Sequence, residues 1–160
     1  MHSQFAAGVT IRPLRRGETD VVQCVFDQLG ARSRQLRFGG AKTSLSPAEL
    51  EELTLLDERR HALVAFADRV PIGIARLVRD ADDPATAEVA FAVADEWQGR
   101  GVGTALLKQL TADARAAGVT RLRAFMHTEN RRSLGLIRRV ATVIETRSSG
   151  AELEVLAVPA

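Results

Sequence analysis

The sequence predicts an α/β domain: a mixed sheet of about seven strands flanked by four helices. Three observations predict it. Apolar strand-like segments and segments with helical apolar spacing succeed one another in the order β-α-α-β-β-β-α-β-α-β-β. Short polar turns join neighbouring strands in mid-chain and at the end. The apolar run "EVAFAV" passes through a glycine-rich joint straight into the longest amphipathic helix.

In order, "GVTIRPL" (8–14) reads as a first strand, and "ETDVVQCVFDQLG" (18–30) has helical spacing with Gly30 as its stop. "RSRQLRFGG" (32–40) reads as a short helical turn before a glycine loop. Ser46-Pro47-Ala48-Glu49 is a capping box with proline at the first helical position, which starts the next helix. "HALVAFAD" and "PIGIARLVRD" are strands joined at Asp68-Arg69-Val70, and "AEVAFAV" (87–93) follows the polar turn 80–84. "GTALLKQLTADARAAG" is the long helix, "VTRLRAFMH" (119–127) a strand, and "RRSLGLIRRV" (131–140) a basic helix capped by Asn130. "ATVIETR" and "AELEVLAV" form a closing hairpin through Ser148-Ser149-Gly150. The loops 31–46 and 80–86 carry no readable code.

At 160 residues, 46% hydrophobic and 26% charged, the chain reads as one soluble domain over 1–160. No apolar run reaches the roughly 20 residues of a membrane span, and the N-terminus has no secretory pattern. The single Cys24 excludes an internal disulfide and a multi-cysteine metal site, and it sits in a helix, so a cytoplasmic protein without metal is expected. The net charge is +2, and the paired arginines are not interleaved with aromatics, which argues against nucleic acid as a partner.

The chemistry concentrates in "WQGRGVGTALL" (97–107). A glycine-rich turn between strand and helix exposes backbone N–H groups, lets an anion approach them, and adds the positive end of the helix dipole. A phosphate or pyrophosphate cradle fits that arrangement; the plain alternative is a sharp turn. A P-loop would need a lysine after Gly103, and a dinucleotide fingerprint would need a different glycine spacing.

Gln98-Gly99-Arg100-Gly101-Val102-Gly103 resembles the Gln/Arg-x-x-Gly-x-Gly/Ala signature of the GNAT acetyltransferases. The likeness extends over about 8–158, including "AEVAFAVADEWQGRGVGTALL" and "FMHTENRRSLGLIRRV", and is greatest to the GNAT domain of bacterial protein-lysine acetyltransferases. It implies a mostly antiparallel sheet with one splayed parallel pair, 87–93 against 119–127. It further implies that the amides of Gly99, Arg100, Gly101, Val102, Gly103 and Thr104, with Gln98, hold the pyrophosphate of acetyl-CoA. The strand edge at Phe91, Ala92 and Val93 would pair with the pantetheine, a backbone N–H near Val93 would polarise the thioester, and Asn130 would add a contact.

Strand alternation puts Val89, Phe91 and Val93 on one face and Glu88, Ala90 and Ala92 on the other. A lone glutamate on a strand is unremarkable; the resemblance makes Glu88 the general base for an attacking amine, and partial burial would sharpen it. The family's tyrosine acid has no counterpart: the chain lacks tyrosine, and Ile137 stands at that position, followed by Ala141-Thr142 for the family's Gly-Phe. Ser133 and His127 are the substitutes at hand. The expected activity is acetyl transfer to a primary amine, a protein lysine first, by a monomer or homodimer. The alternatives are a small-molecule amine acceptor, or a non-catalytic acyl-CoA-binding module that regulates a partner.

Overall fold

The computed structural model describes residues 3–6, 8–38 and 42–160. Strands β1 (Ser3–Ala6) and β2 (Val9–Pro13) precede helices α1 (Thr19–Asp27), α2 (Ala31–Phe38) and α3 (Pro47–Leu53). Strands β3 (Arg60–Ala67), β4 (Val70–Arg79) and β5 (Thr86–Val93) lead through a 3-10 turn (Asp95–Trp97) into α4 (Val102–Ala116). Then come β6 (Arg121–His127), α5 (Arg131–Val140), β7 (Ala141–Ser149) and β8 (Glu152–Pro159).

The strands form one sheet in the order β1-β2-β3-β4-β5-β6-β8-β7. Every neighbouring pair is antiparallel except β5–β6. The mixed, mostly antiparallel sheet with one parallel pair is therefore present, with two additions. An eighth strand, β1, extends the edge from a stretch that reads as a tail. The short helical turn read in 32–40 is a full fifth helix, α2, and the glycines of the loop after it lie outside the described residues. Helix α1 also ends at Asp27 rather than running to Gly30; Gln28 stops it by turning its side-chain Nε2 to the carbonyls of Cys24 (3.0 Å) and Pro71 (2.7 Å).

Two apolar layers hold the sheet. On one face α4 lays down Val102, Leu106, Leu107, Leu110 and Ala114, all buried, at helical spacing. Gly73 on β4 lets that helix approach: a Cβ there would stand 3.0 Å from Leu106 Cδ1 and 3.3 Å from Val102 Cγ1. On the other face Val21, Val22 and Phe26 of α1 pack with Leu45, Ala62 and Val64. Each fully buried leucine or valine adds roughly 1.5–3 kcal/mol. The Ser46–Glu49 capping box forms as the sequence predicts, with Ser46 Oγ accepting from Glu49 N at 3.1 Å and Glu49 Oε1 accepting from Ser46 N at 3.0 Å.

The feature that positions the site is the parallel pair. Strands β5 and β6 are in register only at Thr86–Arg121, Ala87–Leu122 and Glu88–Arg123. Beyond Glu88 both strands continue, to Val93 and His127, without pairing to each other. On its other edge β6 pairs with β8 from Leu122 to His127. The sheet thus opens in a V.

At the far side of the sheet, Arg12 and Glu18 join β2 to the start of α1 by two parallel bonds, Nη1–Oε1 at 2.9 Å and Nη2–Oε2 at 2.8 Å. Both side chains are about one-fifth exposed. The Arg12 hydrogen bond, helped by the Arg15 amide, holds the Glu18 carboxyl below its ordinary value. A depressed carboxylate stabilises the fold above its unfolded-state pKa, and the contribution disappears as pH falls through the folded-state value. Glu18→Gln should therefore cost about 1–2 kcal/mol near neutral pH and progressively less below roughly pH 4. Urea titrations at several pH values would check this.

Candidate active site

Strand β5 supplies the floor of the site. The Val93 carbonyl accepts from Gln98 Nε2 at 3.0 Å, while the next residue, Ala94, donates to Ile72 on β4 at 2.8 Å. Earlier, the Ala85 carbonyl accepts from Thr120 and Arg121 on the β6 side. Backbone polar groups alternate sides along a strand, so those of Val89, Phe91 and Val93 face the gap that β6 leaves, and those of Ala90 and Ala92 face β4. This corrects one expectation. Phe91 and Val93 present backbone groups to the cleft; Ala92 contributes its small side chain, and its N–H and carbonyl belong to β4.

The side chains alternate as the sequence predicts: Val89 and Val93 are buried and Glu88 is exposed. The partial burial expected to sharpen Glu88 as a base is therefore not found. Glu88 stands at the last paired position, opposite Arg123, where the V begins.

The glycines of the joint play two different parts. Gly99 (φ 76°) and Gly101 (φ 88°) adopt the left-handed conformation that an L side chain resists, and a Cβ on either would meet open space. Gly103 has no such φ; a Cβ there would stand 2.9 Å from Leu136 Cδ1 on α5. Gly103 thus permits the contact between α4 and α5. The first bond of α4 runs from Ala105 N to Gly101 O at 3.0 Å. The N–H groups of Val102, Gly103 and Thr104 consequently have no intrahelical acceptor, and the helix dipole adds to their attraction for an anion. Val102 offers only its backbone, because its side chain is in the core. Arg100 turns away and stacks on Trp97, with its guanidinium carbon 4.9 Å from the ring centre.

Side chains pin this loop against α2 and α5. Gln98 Nε2 reaches Ser33 Oγ at 3.3 Å, and its Oε1 accepts from Arg132 at 2.8 Å. Asp95 accepts from the Gly30 amide at 3.0 Å and from Ser33 Oγ at 2.6 Å. Asn130 caps α5 through Ser133 N at 3.2 Å, as expected. Between these walls lies a cavity of about 630 Å³, lined among others by Phe91, Val93, Gly101, Thr104, Asn130 and Ser133. Arg32, Arg37, Arg131, Arg132 and Arg139 also line it. An elongated polyanion with an apolar middle fits such walls.

Sequence reasoning missed Ser33, Asp95, Arg132 and the α2 arginines. Their roles depend on tertiary proximity, and the only local signal is that Asp95 stands three residues before the glycine motif. The structure also revises the position of Ile137, which is 3% exposed and packed in the core beneath α5, not on the cleft wall. Ser133 lines the cleft, and His127 Nδ1 accepts from Glu129 N at 3.1 Å.

The family model of the acetyltransferase (GNAT) family matches residues 31–141. Acetyltransferase Pat of Mycolicibacterium smegmatis is 35% identical over 88 residues, which cover 55% of this chain and 26% of that protein. This chain thus corresponds to a minor part of that relative. Acetyltransferase PA5475 of Pseudomonas aeruginosa is 29% identical over 128 residues, 77% of this chain and 68% of that protein. The crystal structure of the GNAT domain of S. lividans PAT superposes with a TM-score of 0.83 at 26% identity, covering 94% of this chain and 90% of that one.

The division of labour among the glycines is testable by thermal unfolding. Gly101→Ala should cost about 1–2 kcal/mol from backbone conformation alone, whatever stands nearby. Gly103→Ala should be destabilising through Leu136, so adding Leu136→Ala should recover part of the loss, with a coupling of about 0.5–2 kcal/mol. Strict additivity of the two substitutions would remove the assigned contact.

Proposed function

The chain belongs to the acetyltransferase (GNAT) family and is an N-acetyltransferase that uses acetyl-CoA, and on that premise we propose that it acetylates protein lysine by direct attack, with Glu88 as general base. The observation that carries this reading is the end of β5–β6 pairing at Glu88–Arg123. It places a carboxylate where an open strand edge begins, and that edge leads to the free amides of α4.

In this reading the N–H groups of Val102, Gly103 and Thr104, together with the left-handed turn at Gly99 and Gly101, hold the pyrophosphate. Gln98 keeps the turn against Val93, and Asn130 and Ser133 line the opposite wall. Phe91 and Val93 pair with the pantetheine amides as a further strand would, and Val93 N–H is the donor to the thioester carbonyl. The thioester supplies the electrophile. Glu88 removes the proton that a lysine ammonium, with a solution pKa near 10.4, must lose before it attacks. Its exposure puts it within reach of an acceptor arriving from solvent, directly or through a water.

The relatives quoted above are acetyltransferases; the sequence resemblance to the GNAT domain of bacterial protein-lysine acetyltransferases supports protein lysine over a small amine as acceptor. The alternative of a non-catalytic module gives way to the family's activity. The same reading puts the protein in the cytoplasm, as a monomer or homodimer. Among the described residues no helix is long and apolar enough to cross a membrane.

Glu88→Gln should leave CoA affinity and melting temperature nearly unchanged while lowering the acetylation rate by roughly 10²-fold or more. The defect should shrink as pH rises, since free amine then forms unaided. Thiol release measured from pH 6 to 10 reads both effects, and a wild-type rate near neutrality would place the base elsewhere.

With Ile137 in the core, no side chain stands at the missing tyrosine's place in the cleft, and a thiolate, with a thiol pKa near 8.5, leaves unassisted or is protonated by water, Ser133 or His127 without an essential acid. The pH–rate profile should rise through a single limb, and Ser133→Ala and His127→Ala should each cost less than about tenfold. Ile137→Tyr should not help; overpacking should cost about 1–3 kcal/mol. A falling limb abolished by His127→Ala would instead identify that histidine as the acid.

A further inference from the structure

Among the described residues four large apolar side chains stay open to solvent, Val70, Phe125, Ile144 and Val158, and Phe125, 39% exposed, is the aromatic one. A lone exposed ring needs no explanation in general; its place on the V gives this one a meaning. Glu88 and Arg123 face each other at the last pairing of β5 with β6. Two residues farther along the same face stand Ala90 on one arm and Phe125 on the other. The sheet face that carries the exposed Glu88 carboxylate therefore presents a methyl group and a ring on the two diverging strands.

The gap between the arms is a passage. A cavity of about 20 Å³ is walled by Val89, Ala90 and Phe91 of β5 and by Ala124, Phe125 and Met126 of β6. Arg37, Phe91 and Ser133 border both this cavity and the main cleft, so the two spaces adjoin, whereas Phe125 borders the small one alone. At about 10–15 Å³ per water-sized position, the passage takes roughly one or two heavy atoms, in single file. Glu154 faces Phe125 across β6–β8 and is engaged by Arg123 at 3.6 Å. Arg37, on the passage wall, interacts with Glu88, which puts that carboxylate close to the opening.

We propose that Phe125 determines acceptor specificity: the methylene stem of a lysine side chain lies on its ring, and the amine at the end of the stem enters the passage toward the thioester. The inference rests on the reading of lysine acetylation with Glu88 as base. The ring offers apolar area to the stem and its π face to the ammonium group while the proton is still present. Glu88, on the same face, takes that proton. The positive charge of Arg37 disfavours a second cation beside it, so the neutral amine is the form that goes on. Its nitrogen bonds to the thioester carbon, the carbon–sulfur bond breaks and CoA leaves as thiolate. A single-file passage admits a primary amine on an unbranched stem and refuses a branched one.

Calorimetry on the protein–CoA complex measures binding of a short peptide with one lysine, without turnover. Phe125→Ala should weaken that binding by about fivefold or more, and Phe125→Trp should keep most of it. Affinity for acetyl-CoA should stay within about twofold in both variants, and in thiol-release assays Phe125→Ala should raise the peptide KM far more than it lowers kcat. The same peptide with diaminopropionic acid in place of lysine should bind wild type less well by about fivefold or more, because its single methylene offers the ring little area. Phe125→Ala should remove that difference. A melting curve checks that Phe125→Ala is folded; where it is not, Phe125→Trp and the wild-type ratio of the two peptides decide. Unchanged peptide binding in folded Phe125→Ala, equal binding of the two peptides, or no peptide binding at all overturns the role of Phe125. Phe125-dependent binding without acetylation counts against lysine acetylation and leaves that role standing, and acetylation indifferent to Phe125 does the reverse.

Discussion

The parting of β5 from β6 after Glu88 is the constraint on which the rest of the site depends. Strand edges inside a sheet are satisfied by their neighbours, and an unpaired backbone group away from water is costly. Strand β6 pairs with β8 on its other edge, from Leu122–Ala157 to His127–Glu152, so its edge toward β5 is open beyond Arg123 as well. Strand β5 has β4 on one side and nothing regular on the other. Of its outward groups the Val93 carbonyl is taken by Gln98; in the proposed reading a ligand that pairs with the others acts as the missing strand.

Keeping the V open requires a wedge, and α2 with the glycine joint supplies it. Helix α2 lies over the divergence and is tied to the joint by Ser33–Asp95 and to the loop before α5 by Arg32–Glu129 at 2.8 Å. The Arg32–Glu129 pair is more than half exposed, so it orients more than it stabilises. The apolar part of the wedge is the close approach of α4 to α5 at Gly103 and Leu136. The two helix N-termini are thereby aimed at one cavity, and the anion-binding property of each becomes shared.

Elements whose stability comes from their own apolar pattern were legible in the sequence. The α4 stripe from Val102 to Ala114, the alternation at Glu88–Val93 and the Ser46 capping box follow from local rules. Helix α2 was legible only as a short helical turn, because "ARSRQLRF" has little apolar periodicity and its full length is held by tertiary polar contacts, including Arg34 to the Phe26 carbonyl at 3.1 Å. The motif located the glycine turn, but it could not separate the two conformational glycines from the packing glycine. Nor could counting from Asn130 show that Ile137 turns into the core, since the side a helix presents is set by what it packs on. The backbone parity that distinguishes Ala92 from Phe91 is visible only once the partners of Val93 and Ala94 are known.

The distribution of positive charge has a consequence for the proposed chemistry. Of the 22 basic residues, only Lys42 and Lys108 are lysines. Arginine keeps its proton at any working pH and is not a nucleophile toward a thioester, whereas a lysine amine becomes one on losing its proton. The arginines lining the cleft can therefore attract a polyanion without being consumed by the reaction they support. Lys42 is engaged by Glu49 at 2.6 Å, a contact that an attacking amine would have to give up. If the protein acetylates itself, the exposed Lys108 should be modified before Lys42. A mass spectrum of the protein incubated with acetyl-CoA would report that order.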